Sequence, residues 1–318
     1  MGFEELKGQS RAVGLLQNSI CTSRIAHAYI FYGPDGVGKN KAALLFAQAI
    51  NCIAPEGNLP CGKCLACRKI SAKNHPDFIR IEPEGNTIKI SQMRSMQEKA
   101  YLRCYEAKYK VIIIDGAERM TLEAANSLLH ILEEPPERTV LVLIAADTGQ
   151  LPLTILSRCQ PIPFMPLGED VLKEILQTKS VQVIFPLGLA NGSAAKALEM
   201  NDTEGISGIN DEVQKLLADL QEGRYAPLLA KAEELGKNKE HTELILDMLS
   251  AYYRDKLVNC HGVQNNLLDT LTDKDYRIEE CCNALEQLRL AARQIQRNAN
   301  VRLVLEVLLL KLKDIEKV

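Results

Sequence analysis

No apolar run in the 318 residues reaches the length that a membrane-spanning helix needs, and the opening MGFEELKGQS puts charges where a secretory leader has its apolar core. The expectation is a cytoplasmic protein with no membrane partner. A surplus of charge is missing as well. Lys and Arg number 38 against 41 Asp and Glu, a net charge of -3, so the chain has no global basic field with which to grip nucleic acid alone. Any contact with DNA has to come from a local basic face or through an assembly. There is no internal repeat and no low-complexity tract. With 46% hydrophobic and 25% charged residues, neither a disordered nor a fibrous class is needed, and the length allows two or three domains. Ten cysteines in a cytosolic chain are poor candidates for structural disulfides, which leaves spacing to decide between metal ligands and buried thiols.

One stretch organises the rest. The apolar run Ala28 to Tyr32 leads into Gly33, Pro34, Asp35, Gly36, Val37, Gly38, Lys39 and Asn40, and then into the Ala/Leu-rich segment Lys41 to Ile50. That is strand, glycine loop, helix. Such a loop turns backbone N–H groups inward around a phosphate, the lysine reaches the β and γ oxygens, and the helix N-terminus adds partial positive charge. The pattern lacks one part: the residue after the lysine should be Ser or Thr, whose hydroxyl binds Mg²⁺, and here it is Asn40. A nucleotide site is expected; ATP with Mg²⁺ as its ligand is left open.

Along the chain, Phe3 to Ser23 reads as a helix, Asp77 to Ile81 as a strand and Ile90 to Cys104 as an amphipathic helix. The short apolar run Lys110 to Asp115 (KVIIID) ends in an acid, as a buried parallel strand does. Thr121 to Glu134 is a helix capped by Thr121 and stopped by Pro135-Pro136. Thr139 to Ala146 is a buried strand, Leu151 to Arg158 a short helix and Gln160 to Phe164 strand-like. Strands alternating with helices argue for a parallel sheet covered on both faces. Beyond Met165 strand signals nearly vanish. Glu169 to Lys179 and Phe185 to Met200 read as short helical stretches, followed by long amphipathic helices over Val213 to Glu222, Tyr225 to Leu235, Thr242 to Leu257, Ile278 to Gln296 and Val301 to Ile315. The last carries Leu303, Val304, Val307, Leu308, Leu310 and Leu312 and is expected to be buried in a bundle or an interface.

Cys52, Cys61, Cys64 and Cys67 form C-x8-C-x2-C-x2-C in a Pro/Gly-rich excursion. Two tight turns aim thiolates at one point and a fourth comes from the preceding helix end, which suits tetrahedral Zn²⁺ with no open position, hence one structural zinc. An iron–sulfur cluster is the smaller alternative. Cys21, Cys104, Cys260, Cys281 and Cys282 have no such company and read as buried core thiols. Asp115 stands where a second acidic motif of P-loop proteins holds the Mg²⁺ water shell. The residue after it is Gly116, and the nearest acid is Glu118, which with Arg119 reads equally well as a solvated turn. Arg158, between Ser157 and Cys159, would in isolation be a surface charge.

It does not stand in isolation. Gly8-Gln9, Ala26-His27-Ala28-Tyr29, GPDGVGK, the four cysteines, Ala125-Asn126-Ser127-Leu128-Leu129 with Leu132-Glu133-Glu134-Pro135-Pro136, and Leu151 through Ser157-Arg158-Cys159 together strongly resemble the bacterial clamp-loader subunits of DNA polymerase III, members of the AAA+ family. The resemblance covers the first 165 residues motif by motif and the remainder by architecture. It implies an α/β P-loop AAA+ domain over 1–165 with an inserted zinc module near 52–67, a small helical lid over 166–207 and an all-α collar domain over 208–318. Two relatives divide on ATPase equipment, the hydrolysing tau/gamma motors and the non-hydrolysing delta-prime type. Asn40, Gly116, the Ala145-Ala146 pair at the sensor strand end and Ala195 at the expected sensor arginine favour the second.

The resemblance further implies a hetero-pentamer with tau/gamma and delta subunits, which loads the sliding clamp onto primed DNA. In it Arg158 would be an arginine finger acting in trans on a neighbour's ATP, as part of the Ser157-Arg158-Cys159 motif. An active motor subunit is the alternative. A zinc-bearing nucleic-acid-binding module acting alone is a third reading, against which the acidic balance speaks.

Overall fold

Five short strands, four of them rich in β-branched or aromatic residues, build one parallel sheet, the first three of them each followed by a helix long enough to cross back over it. In the computed structural model, which describes residues 2–55, 57, 59–181, 187–202, 206–260, 277–296 and 299–316, these are β1 (Ala28–Tyr32), β2 (Phe78–Ile81), β3 (Lys110–Asp115), β4 (Thr139–Ala145) and β5 (Gln160–Pro163). Their order is β2-β3-β4-β1-β5, and every pairing is parallel. Between them run α1 (Ser10–Cys21) before β1, α2 (Lys39–Asn51), α3 (Leu65–Ser71), α4 (Ile90–Tyr101), α5 (Leu122–Glu133) and the single turn α6 (Leu153–Leu156).

The two-residue period of the strands divides the core. Tyr29 and Phe31 pack with Ile113, Val142 and the α2 residue Phe46 on one face, Tyr29 meeting Phe46 edge to face at 5.1 Å. Ile30 shares the other face with Ile112, Leu143, Met93 of α4 and Leu128 of α5. Both faces are thus covered, as the continuous apolar runs of β3 and β4 require.

The N-terminus departs from one long helix. A single 3-10 turn, Phe3–Glu5, precedes α1, which starts only at Ser10. The reason is Gln9: its buried side chain donates to the Met165 carbonyl at 2.7 Å and accepts from the Met165 N–H at 3.1 Å. That anchor turns the chain before the helix begins. Lys110, at the head of a strand, is buried with its ammonium on the Lys99 carbonyl (2.6 Å) and the Leu102 carbonyl at the end of α4, a cation placed on the carbonyls that a helix end leaves open. The expectation of buried core thiols is corrected at four positions. Cys281 is buried, but Cys21, Cys260 and Cys282 are exposed and Cys104 is half-buried. Cys282 follows Cys281 on a helix, where successive side chains point about 100° apart.

After β5 come α7 (Glu169–Thr178), a 3-10 turn at Leu187–Ala190, α8 (Ala194–Asp202), α9 (Ile206–Glu222), α10 (Tyr225–Leu235), α11 (Lys239–Asn259), α12 (Ile278–Gln296) and α13 (Val301–Glu316). Phe185, the expected start of a helical stretch, lies outside the described residues. The chain divides into two compact units, Met1–Ile175 with Gly192–Lys196, and Leu176–Asn191 with Ala197–Val318. In the second, α12 packs on α11 and α13, and α13 also on α10. Glu212 of α9 ties two neighbouring helices, with Lys231 of α10 at 2.5 Å and His241 of α11 at 2.8 Å. The last helix buries Leu305, Leu308, Leu309 and Leu312 but leaves Leu303 (57%) and Val307 (55%) exposed. Its apolar circumference is therefore only partly used within the unit. Among the described residues no helix is long and apolar enough to cross a membrane.

Candidate functional site

At the end of β1 the chain turns through residues 33–38 and enters α2. Gly36 shows why a side chain is excluded here: with φ at +74°, a Cβ would lie 2.1 Å from Ser193 Oγ and 2.8 Å from Ala195 Cβ. The loop is held against that segment by the Ala194 N–H, which donates to the Gly36 carbonyl at 3.1 Å. Beside it opens a cleft of about 430 Å3, whose lining includes Gly36, Lys39, Asn40, Asp115, Glu118 and Arg119. The structure therefore brings the glycine loop and the acid of β3 to one place.

What those groups do there is specific. Lys39 is 5% exposed and its ammonium sits on the loop's own carbonyls, Gly33 and Pro34 (2.7 Å), with Asp35 Oδ1 at 3.2 Å. Asp115 Oδ2 accepts from Asn40 Nδ2 at 2.9 Å and from Arg80 Nη2 at 2.8 Å, while Arg80 Nη2 also approaches Asn40 Oδ1 at 3.3 Å and Glu82 Oε1 at 2.6 Å. The corner where a hydroxyl and a carboxylate would hold Mg²⁺ thus carries an amide and a guanidinium already bonded to the carboxylate, a donor set that does not fit the metal. Gly116 follows Asp115 in the left-handed region (φ 70°, ψ 45°). Ala146 lines the cleft.

One residue at this corner, Arg80, escapes a reading of the sequence, and for Glu118 the structure decides between the two readings left open. Arg80 is brought in by β2, and its only local signal is a charge in the middle of a buried strand. Glu118 lines the cleft with Oε2 buried and unpartnered, so it is not merely part of a solvated turn.

The other end of α2 holds the cysteines. Cys52 caps the helix, Cys64 caps α3, and the four Sγ atoms of Cys52, Cys61, Cys64 and Cys67 lie within 4.8 Å of one another. Cys52 Sγ and Cys64 Sγ are 3.9 Å apart, against the roughly 3.8 Å edge of a tetrahedron with Zn–S bonds of ~2.3 Å. N–H groups of Cys61, Cys64 and Cys67 donate to the sulfurs of Cys52, Cys61 and Cys64 at 3.3, 3.3 and 3.5 Å. Burial pushes Cys52 up, and burial together with the bond to Cys64 pushes Cys67 up. The N–H of Cys64 pulls Cys61 down. At Cys64 burial is outweighed by the N–H groups of Cys67 and Ile53, which bring it to about 6. The cluster is positioned to bind one metal ion, and all-sulfur donors in this geometry are compatible with structural zinc.

Arg158 follows α6. Its guanidinium donates to the Thr154 carbonyl at 2.9 Å and to Glu133 Oε1 at 2.8 Å, and its side chain is 36% exposed. The neighbouring Cys159 is buried, which pushes its thiol up to about 12 and makes it a packing residue. Ser157 Oγ bonds back to the Thr154 carbonyl at 3.2 Å.

Residues 8–168 match the family profile described as DNA polymerase III, delta subunit. The DNA polymerase III subunit delta' of Bacillus subtilis is 34% identical, with 96% of each chain covered. The tau subunit of the same organism is 31% identical over 86% of this chain and 54% of its own length. That of Escherichia coli is 28% identical over 80% of this chain and 44% of its own, so the chain spans about half of such tau relatives. Among solved structures, a DNA polymerase III gamma-subunit-related protein from Thermotoga maritima shares the fold, with a TM-score of 0.54 at 17% identity over 96% of this chain and all of that one.

Proposed function

The chain belongs to the delta-prime family of bacterial DNA polymerase III clamp-loader subunits, and from that premise we propose that it is a non-hydrolysing, stator-like member of the loader that supplies Arg158 to a neighbour's ATP. The observation that carries this reading is the state of its own cleft. Lys39 is turned onto loop carbonyls, Asp115 Oδ2 is taken by Asn40 and Arg80, and Gly116 stands where a motor has its water-orienting glutamate. Losing a group that positions the attacking water typically costs on the order of a hundredfold in rate.

Arg158 is free to act elsewhere at small cost. Its pair with Glu133 is half exposed, and such pairs are worth only about 0.2 to 1 kcal/mol. A guanidinium given in trans to phosphoryl transfer raises the rate by roughly 10³ to 10⁵, or about 4 to 7 kcal/mol. The exchange therefore favours the partner's phosphate. In this account residues 166–207 form a lid and 208–318 a collar. The exposed Leu303 and Val307 of α13 belong to the collar's contacts in a cytoplasmic hetero-pentamer with tau/gamma and delta subunits, which acts on the sliding clamp and primed DNA. The four cysteines hold one structural zinc.

The test is a reconstituted loader carrying Arg158→Ala. Folding, metal content and assembly should be unchanged, while DNA-stimulated ATPase and clamp loading fall by tenfold or more; Arg158→Lys should rescue little, because a point charge lacks the planar fork. Loading at the unmodified rate would make Arg158 a surface residue. Glu118, with a carboxylate oxygen in the cleft, is the one observation that favours the alternative of a hydrolysing motor. If that holds, the isolated chain turns over ATP and Glu118→Gln abolishes it.

A further inference from the structure

Arg80 borders the corner of the P-loop cleft that matters most for metal, through its bonds to Asn40 and Asp115, which line that cleft. It comes from a strand distant in sequence, is only partly exposed, and is held from two sides by Asp115 at 2.8 Å and Glu82 at 2.6 Å. Its Nε is buried without an acceptor. Asn40 completes the arrangement in both senses. Its nitrogen donates to the Asp115 oxygen that Arg80 uses, and its own oxygen faces Arg80 at 3.3 Å. A threonine or serine hydroxyl is too short and has too few groups to close that three-way ring.

Mg²⁺ demands about six oxygens in near-octahedral array at ~2.0 to 2.1 Å. Seating it here would break the bonds from Asn40 and Arg80 to Asp115 and set a dication beside a guanidinium that never loses its proton. The glycine loop, the N-terminus of α2 and the basic residues Lys39, Lys41 and Arg119 still line the cleft, so an anion-binding frame remains.

We infer that Arg80 is the chain's own replacement for the divalent cation, so that this cleft binds the polyphosphate of a nucleotide in its metal-free form. The inference rests on the reading of the cleft as a non-hydrolysing P-loop site and goes further, to the ligand's ionic form and the residue that selects it. Because the guanidinium is covalently part of the chain, occupancy of the cleft is independent of free Mg²⁺, in contrast to a site built around the metal.

The experiment is calorimetric titration of ATP and of ADP into the full chain, in EDTA and in millimolar Mg²⁺. Saturable binding in EDTA with a Kd within threefold of that in Mg²⁺ is expected. The pair Asn40→Thr with Arg80→Gln should weaken binding in EDTA by about tenfold and make it at least tenfold tighter with Mg²⁺. Binding by the unaltered chain that strengthens tenfold or more with Mg²⁺ overturns the inference, as does absence of saturable binding in EDTA. The measurement on the unaltered chain decides the matter even if the double variant does not fold, which thermal melting will show. Phosphate release followed in the same samples keeps the two readings apart. Turnover contradicts the non-hydrolysing reading, whereas a Mg²⁺ requirement for binding without turnover contradicts only the role of Arg80.

Discussion

The two ends of α2 carry the two candidate sites, and they have reached opposite states. At the N-terminal end the polar groups satisfy one another: Lys39 bonds to loop carbonyls, and Asn40 and Arg80 bond to Asp115. At the C-terminal end four sulfurs converge within 4.8 Å and receive backbone N–H groups, with two thiols pulled down and two pushed up. Four sulfurs aimed at one point are a set that a cation can bridge. The lesson is that a glycine turn or a tight spacing marks only the frame of a site. Whether the frame still calls for a ligand depends on whether the chain supplies the counter-charge itself.

The largest effect should come from the end that needs its ligand. Protein purified without chelator should contain one zinc per chain by elemental analysis, and Cys64→Ala should remove it. Structural zinc binding is worth on the order of 10 kcal/mol in small modules, so the loss should be complete. The sheet should keep its circular dichroism, since its strands lie outside the 52–67 loop. Absent stoichiometric zinc, or zinc unchanged in the variant, would end the contrast between the two sites.

A third knot in the same unit sharpens it. Asp77 is buried and accepts from the N–H groups of Tyr105, Glu106 and Ala107 at 2.8 to 3.0 Å, so here the chain provides the anion for a set of convergent N–H groups. Burial alone would raise its carboxyl, but those N–H groups outweigh it and hold it below the ordinary carboxylate value. Stability from a depressed pKa is fully present above the unfolded value near pH 4 and is lost as pH falls through the lower folded value. Asp77→Asn should therefore cost about 1.5 to 3 kcal/mol in urea unfolding at pH 7, with the difference from the unaltered chain shrinking in acid. A constant difference from pH 7 to pH 2 would contradict this.

The smallest effect is expected at Gly116. Placing the motor's glutamate there forces a side chain into the left-handed region, at roughly 1 to 2 kcal/mol, and leaves Asp115 still bonded to Arg80. Gly116→Glu should thus lower the melting temperature slightly and give no phosphate release above background. A gain of turnover would show that the missing carboxylate alone silences the cleft.

What could be read from the sequence follows from the same physics. The glycine loop, KVIIID and the cysteine spacing are local patterns, so their elements and their convergence were legible in advance. Arg80 was not, because residues forty apart meet only when β2 takes its place beside β3. Gln9 was legible as a motif residue but not as the anchor on Met165 that splits the expected first helix. The exposed cysteines show that a residue type enriched in cores does not by itself fix which side of a helix faces inward.

The most direct test of the central claim, that the P-loop frame persists here without its hydrolytic chemistry, is phosphate release by the isolated chain with Mg²⁺-ATP and primed DNA. The account predicts a rate no higher than that of Lys39→Ala prepared in parallel. Turnover comparable to that of a tau subunit, retained through purification and abolished by Lys39→Ala, would contradict it.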